Sequence, residues 1–221
     1  MNNTRNASRY RLPDTTGSIL VVLPVILLAV GAALWQVHAV GQPVRELPWT
    51  VARAAGLVAF SLCWLLTLLG LVLAHPRAIR FVPRVTPWHQ WLGLFTIAFV
   101  AVHVLAVLLD PYAHVGLLGV LLPGGSAYRP LAVALGVLAL WSLLLVGLTA
   151  RFSQRLAPGT WRQIHAGALV VFLLAFFHGV LTGSDTHWLR AYYSVTGLTV
   201  WAAAVARYWH PRPARRGGRA A

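Results

Sequence analysis

Acidic residues and cysteine are scarce in this chain of 221 residues, and lysine is absent. It has 4 acidic and 18 basic residues, every basic residue being Arg. The single Cys63 excludes a disulfide framework and any zinc or iron–sulfur site built on several cysteines. No G-x-G-x-x-G segment is present, so the sequence predicts that a reductant carrying flavin or nicotinamide comes from a partner.

Apolar residues make up 58% of the chain and form long runs instead of the alternation typical of a soluble domain. A run of about 20 apolar residues is long enough to cross the hydrocarbon core of a bilayer. The sequence therefore predicts an all-α, polytopic bundle of six membrane-spanning helices. These lie near residues 17–37, 49–74, 88–109, 131–150, 161–181 and 192–208.

The arginines are concentrated in alternate connections, which predicts the topology. Three lie in the amino-terminal tail, three between the second and third segments, three between the fourth and fifth, and five at the carboxyl end. The positive-inside rule then places both termini in the cytoplasm and the bundle in the cell membrane. The predicted organisation is a cytoplasmic tail over residues 1–16, a transmembrane domain over 17–209 and a disordered cytoplasmic tail over 210–221.

A net charge of +14 raises the question of nucleic-acid binding. The charge is spread over short loops beside the membrane and has no folded basic domain behind it. Anionic lipid headgroups of the bilayer are therefore the expected partner, and nucleic acid is not.

Four histidines stand out because they lie in apolar segments. His89 and His103 are fourteen residues apart on the third segment, and His165 and His178 are thirteen apart on the fifth. An ionisable group within a membrane marks a functional site, and neutral imidazole is a common axial ligand of haem iron. Both segments run in the same direction, so His89 can face His165 near the cytoplasm and His103 can face His178 nearer the outside.

The thirteen-residue spacing on the fifth segment is a geometric difficulty. Fourteen residues return a helical side chain to within about 40° of its starting direction, whereas thirteen leave it about 140° away. A π-bulge, a kink, or rotation of the haem planes relative to each other would compensate, and these alternatives stay open at this point.

The chain resembles the ferric reductase-like transmembrane domain over about residues 50–205. The resemblance rests on WHQWLGL at residues 88–94, followed by His103 and Asp110, then YRP at 128–130, WRQIH at 161–165 and His178. It implies two haems b held between the third and fifth helices. His103 and His178 would ligate the outer haem, and His89 and His165 the inner one. NADPH oxidases and eukaryotic ferric reductases share this arrangement and add a cytoplasmic flavin and NADPH domain.

A second resemblance is to the haem-binding membrane subunit of the periplasmic methionine sulfoxide reductase system. That subunit typically has Arg where this chain has His89, so His89 favours the two-haem branch. Arg53 resembles a position at which NADPH oxidases carry Arg near the outer haem. It is expected either to meet a haem propionate or an anionic acceptor, or simply to extend to the outer interface.

The expected function is electron transfer across the membrane. The donor would be a cytoplasmic flavoprotein, which supplies the flavin, or a quinol, and the acceptor a ferric chelate, oxygen or a periplasmic protein. The chain would thus be the electron-transfer component of an oxidoreductase that needs a separate reductase. The alternative is a haem-binding subunit that anchors and reduces a periplasmic enzyme such as a methionine sulfoxide reductase. A cofactor-free transporter is disfavoured, because no acidic residue falls in the middle of a predicted span.

Overall fold

A computed structural model describes residues 15–41, 43–75 and 82–209 of the chain. Nearly all of the predicted amino-terminal tail, over residues 1–16, and the whole predicted tail over 210–221 lie outside the described residues. Within the described ranges the regular structure is entirely helical and contains no β-strand, which confirms the all-α class. The helices are α1 (Thr15–Val40), α2 (Leu47–Leu73), α3 (Val82–Leu109), α4 (Gly116–Leu121), α5 (Pro130–Arg151), α6 (Pro158–Ala166), α7 (Ala168–Thr182) and α8 (Arg190–Trp209).

Proline marks the start of several helices. Pro48, Pro130 and Pro158 stand in the first turn of α2, α5 and α6. This position suits proline because the first-turn N–H groups have no partner within the helix and the fixed φ of proline matches the helical value. The second, fourth and fifth predicted segments begin close to where the sequence placed them, whereas α3 begins at Val82, ahead of the predicted residue 88. The predicted fifth segment is formed by α6 and α7 together.

Four segments of the described chain are long and apolar enough to cross a membrane: Val44–Leu73, Val82–Leu109, Pro130–Arg151 and Pro158–Thr182. They establish a multi-pass membrane protein. Within the described residues α1 contributes only the shorter apolar stretch Ile19–Ala32, and α8 is not among the four. The count of six crossings therefore stays a prediction.

The bundle is organised as two antiparallel helix pairs. α2 packs along α3 and α5 packs along α7, while α2 also contacts α7 and α8 and so joins the pairs. Phe60 of α2 stacks on Phe172 of α7, with ring centroids 5.7 Å apart. Phe172 and Val200 are almost completely buried in the same cluster. This aromatic core holds α2, α7 and α8 together between the levels of the two histidine pairs.

The short helix α4 closes one end of the bundle. It buries Gly119 and Val120 and exposes Leu117, Leu118 and Leu121. A Cβ on Gly119 would lie 3.0 Å from Cβ of Ser126, so glycine allows the loop that follows α4 to pack closely against this helix. With six residues, α4 is too short to cross a bilayer.

Candidate functional site

The structure brings the four histidines together as two pairs. The rings of His103 and His178 have centroids 6.2 Å apart, with an angle of 81° between their planes. The rings of His89 and His165 have centroids 6.0 Å apart, with an angle of 68°. We call the first the outer pair and the second the inner pair. Each pair joins α3 to the segment formed by α6 and α7, as the sequence predicted.

These separations can be tested against the geometry of a shared metal. An imidazole nitrogen binds a transition-metal ion at about 2 Å and lies about 1 Å from the centre of its ring. Two rings that share one ion from opposite sides therefore have centres about 6 Å apart. Both pairs meet this requirement, and both fit axial ligation of a haem iron.

The outer pair is fixed by the backbone of two helices. Nδ1 of His103 lies 2.7 Å from the carbonyl oxygen of Ala52, and Nδ1 of His178 lies 2.8 Å from that of Ala132. A carbonyl oxygen only accepts, so each Nδ1 carries the proton and donates it. The other nitrogen, Nε2, then has its lone pair available for a metal, which is the usual arrangement of a metal-binding histidine.

A glycine lies under each ring of the outer pair, one helical turn beyond the accepting carbonyl. A Cβ on Gly56 would lie 2.8 Å from Nδ1 of His103, and one on Gly136 would lie 2.6 Å from Cε1 of His178. These distances are too short for any side chain. The same Ala-x-x-x-Gly device therefore occurs twice, as Ala52 to Gly56 on α2 and as Ala132 to Gly136 on α5.

The sequence analysis did not identify this device. It assigned neither the two alanine carbonyls nor the pairing of Gly56 with His103. The signal available was the four-residue spacing repeated on two helices. Such a spacing is common in membrane helices, so it identifies a site only once the histidine that faces it is known.

The inner pair has different surroundings. Nδ1 of His89 and Nδ1 of His165 are buried and have no hydrogen-bond partner among the described residues. Trp161 stacks on the His165 ring at 5.2 Å, and its Nε1 is likewise buried and unpartnered within that part of the chain. A Cβ on Gly70 would lie 3.4 Å from Cε1 of His89, which is an ordinary contact. The protein therefore holds the inner rings less rigidly than the outer ones.

The helix that contains His165 and His178, thirteen residues apart, is broken at Gly167. The helix is interrupted between α6 and α7, and the N–H of Gly167 donates to the carbonyl of Ile164 at 2.9 Å, a bond across three residues. A three-residue turn rotates the chain by about 120° per residue, against about 100° in an α-helix, so one such turn recovers about 60° of the offset of about 140°. At this point the structure shows a local break of the helix with a tighter turn and not a π-bulge.

A cavity of about 270 Å³ lies at the outer pair. His103 and His178 line it together with Gly56 and Gly136, while His89 and His165 do not. Most of its wall is apolar, and its outer end also contains Trp49, Arg53, Asp110, Tyr128 and Asp185. The apolar wall suits a flat hydrophobic ring between the outer histidines, and the polar groups lie where such a ring would approach the surface.

Arg53 lies at the outer end of this cavity, as predicted, but it has an acidic partner that the sequence did not reveal. Its Nη2 forms an ion pair with Oδ2 of Asp185, and both side chains are a little under half exposed. Nearby, Nη1 of Arg129 donates to the carbonyl of Leu181 at 2.7 Å. These contacts connect the start of α2 to the loop that follows α7, and the start of α5 to the last turn of α7. Arg53 is therefore ion-paired within the protein and does not simply extend into the outer interface.

The fold and the paired histidines define a class of protein: a multi-pass helical membrane protein with two facing imidazole pairs between the same helical segments. The comparison with protein families gives a more specific result. Residues 54–176 match the ferric reductase like transmembrane component, and the chain belongs to this family. The match includes His89, His103 and His165 and ends two residues before His178. Comparisons with curated proteins and with solved structures gave no match. Membership of the family implies electron transfer across a membrane.

Proposed function

We propose that the chain is a di-haem b protein that carries single electrons from the cytoplasmic side of the membrane to an acceptor outside. The observation that carries the proposal is the presence of two imidazole pairs with ring centroids 6.0 and 6.2 Å apart. His103 and His178 would hold the outer haem, and His89 and His165 the inner one. When bound, haem supplies reversible one-electron chemistry at its iron.

The residues of the chain contribute position and exclusion of water. The carbonyls of Ala52 and Ala132 accept hydrogen bonds from Nδ1 of the outer imidazoles, which leaves Nε2 of each ring available to bind a metal. Two histidines would hold each haem, one from each side, and this would leave no free site on the metal for oxygen or substrate. Transfer to the acceptor would therefore be outer-sphere, through the exposed edge of the outer site.

The direction of transfer follows from the predicted topology. Arg84, Arg151, Arg155 and Arg162 lie at the helix ends that contain the inner pair. By the positive-inside rule this end faces the cytoplasm, and both termini lie there as well. An acidic surface on a flavoprotein donor would complement these arginines. A quinol in the bilayer is the other donor, and a ferric chelate, oxygen or a periplasmic protein is the acceptor.

The pyridine haemochrome and the ratio of haem to protein in detergent-purified full chain test this function. We expect haem b at about two per polypeptide and a low-spin spectrum. His178→Ala should lower the ratio to about one, and so should His165→Ala, each through loss of a different site. His187→Ala is the matched control, since this exposed outer histidine belongs to neither pair. A colourless wild-type protein from haem-replete cells would refute the proposal. One haem per wild-type polypeptide would refute the inner haem site.

A further inference from the structure

Arg129 makes one of two hydrogen bonds that join α5 to α7 at the level of the outer pair. Its Nη1 donates to the carbonyl of Leu181 at 2.7 Å, and Nδ1 of His178 donates to the carbonyl of Ala132 at 2.8 Å. Arg129 and Ala132 are three residues apart, and so are His178 and Leu181. Because α5 and α7 are antiparallel, the two bonds lie about one helical turn apart and belong to the same register of the two helices.

Arg129 has a left-handed backbone, which is uncommon for a residue other than glycine. Its φ is 41° and its ψ is 62°, and it is the N-cap residue of α5. Pro130 follows it and disfavours the right-handed helical conformation at this position. The carbonyl of Arg129 accepts from the N–H of Val133 at 3.0 Å, so the helix begins directly after the strained residue. Strain of this kind persists where the surrounding structure requires it, and it is concentrated at functional positions.

The guanidinium of Arg129 is held by its neighbours. Its Cζ lies 5.7 Å from the centre of the Tyr128 ring. The N–H of Tyr128 donates to Oγ of Ser126 at 3.1 Å, and Ser126 is only 4% exposed. The accepting carbonyl of Leu181 belongs to the last turn of α7, where carbonyls lack a partner within the helix and a positive charge is favourable. The contact therefore joins a fixed donor to the end of the helix that contains His178.

The ring of His178 depends on the position of α7 relative to α5. A Cβ on Gly136 would lie 2.6 Å from Cε1 of His178, so the ring lies directly against the backbone of α5. Its Nδ1 meets the carbonyl of Ala132 one helical turn before this glycine. A displacement of α7 along its axis would break this hydrogen bond. A contact that fixes the register of the two helices therefore also fixes the ring of His178.

We propose that Arg129 is a positioning residue for the outer pair. Its hydrogen bond to the carbonyl of Leu181 sets the register of α7 against α5 and so keeps Nδ1 of His178 on the carbonyl of Ala132. Arg129 acts through the backbone of α7. The importance of this role for electron transfer rests on the proposed function, because the direction of the His178 ring matters when a metal is bound at the outer pair. The hydrogen bonds themselves require no haem.

The test measures how fast the imidazole Nδ1–H of His178 exchanges with water, by NMR of the detergent-purified full chain with isotope-labelled histidine. Dithionite keeps any bound low-spin haem iron reduced and diamagnetic, so the resonance can be followed with or without haem. Its loss in His178→Ala identifies it. We expect Arg129→Met to speed the exchange about tenfold, the order expected for loss of one hydrogen bond from a charged donor. The Nδ1–H of His103 should be unchanged in the same sample, since its acceptor, Ala52, lies on α2.

Two further variants separate the guanidinium from the strained backbone and from charge. Arg129→Gly favours the left-handed conformation and removes only the side chain, so it should fold and show the same faster exchange at His178. Arg190→Met removes an exposed arginine on the same side and should change neither resonance. In protein that contains haem, the outer haem of Arg129→Met should also transfer to apomyoglobin about tenfold faster, with the inner haem unaffected.

Unchanged exchange at His178 in both Arg129→Met and Arg129→Gly would overturn the proposal. Equal acceleration at His103 would also overturn it, because it would show a general loosening of the bundle. So would a wild-type protein whose His178 has no slowly exchanging Nδ1–H. A wild-type protein without haem that shows the expected pattern of exchange would refute only the proposed function. A di-haem protein in which the Arg129 variants leave His178 unchanged would refute only this role of Arg129.

Discussion

At the outer pair each Nδ1–H donates to a backbone carbonyl, whereas at the inner pair neither Nδ1 has a partner among the described residues. The ring separations of the two pairs differ by only 0.2 Å, being 6.2 and 6.0 Å. The difference lies in the groups behind the rings. The outer rings rest on Gly56 and Gly136 without room for a methyl group, while Gly70 beside His89 leaves ordinary contact distance.

The comparison shows how one chain can build two similar ligand pairs with unequal rigidity. A metal-binding histidine whose second nitrogen is held keeps its tautomer and its orientation before the metal arrives, and loss of such a partner typically weakens metal binding by about 10- to 100-fold. The outer site is therefore preorganised by the protein. The inner site would depend more on a bound group to orient its imidazoles.

The largest expected effect is collapse of the outer site when its glycines gain a methyl group. Gly136→Ala would place a Cβ 2.6 Å from Cε1 of His178, so the ring must move and the bond to Ala132 must break. We expect loss of most outer haem and a destabilisation of about 1–3 kcal/mol, as is usual for overpacking. Haem content and thermal unfolding followed by haem absorbance measure both effects.

Gly56→Ala should behave in the same way through His103, and Gly70→Ala is the matched control on the same helix. We expect Gly70→Ala to retain both haems. Full haem content in Gly136→Ala and Gly56→Ala would show that the outer rings are not held as tightly as the geometry indicates, and the contrast between the two pairs would then be lost.

A smaller effect is expected in the order of haem release. Haem should transfer to an excess of apomyoglobin in two phases, the inner haem leaving first and about tenfold faster, because its ligands lack fixed partners on Nδ1. Absorbance at the Soret band follows the transfer. His165→Ala, which should retain only the outer haem, identifies the slow phase. A single rate, or a fast phase that survives in His165→Ala, would contradict the assignment.

The smallest effect is expected at the mouth of the outer cavity. Arg53 and Asp185 are each a little under half exposed, and pairs of this kind contribute about 1 kcal/mol or less. A double-mutant cycle with Arg53→Gln and Asp185→Asn should therefore give a coupling free energy within this limit, decreasing further at high salt. Arg190→Gln, at an exposed arginine on the same side, is the control. A coupling of several kcal/mol would mean that the pair is shielded from water.

Much of the site could be predicted because helical geometry fixes positions along an axis. The fourteen- and thirteen-residue spacings place the histidines at matching heights on two segments, and the structure brings them together as pairs. The hydrogen bonds that hold the outer histidines could not be predicted, because each one joins a histidine to a residue far away in the sequence. Ala52 is 51 residues from His103, and Ala132 is 46 residues from His178. No local pattern identifies a backbone carbonyl as the acceptor for a ring so far away.

The sequence by itself determined an all-α membrane protein with four histidines at two levels along the helix axes. The length of an apolar segment and the rise per residue of a helix do not depend on how the helices pack. Only the tertiary structure decided how each layer is built. The helix is broken at Gly167 between His165 and His178. The close approach of α2 to α3 and of α5 to α7 supplies the carbonyls and glycines of the outer pair, and the loop after α7 gives Arg53 its partner Asp185. These features depend on the rotation and separation of neighbouring helices, which are set by packing across the whole bundle and not by the spacing of residues along one helix.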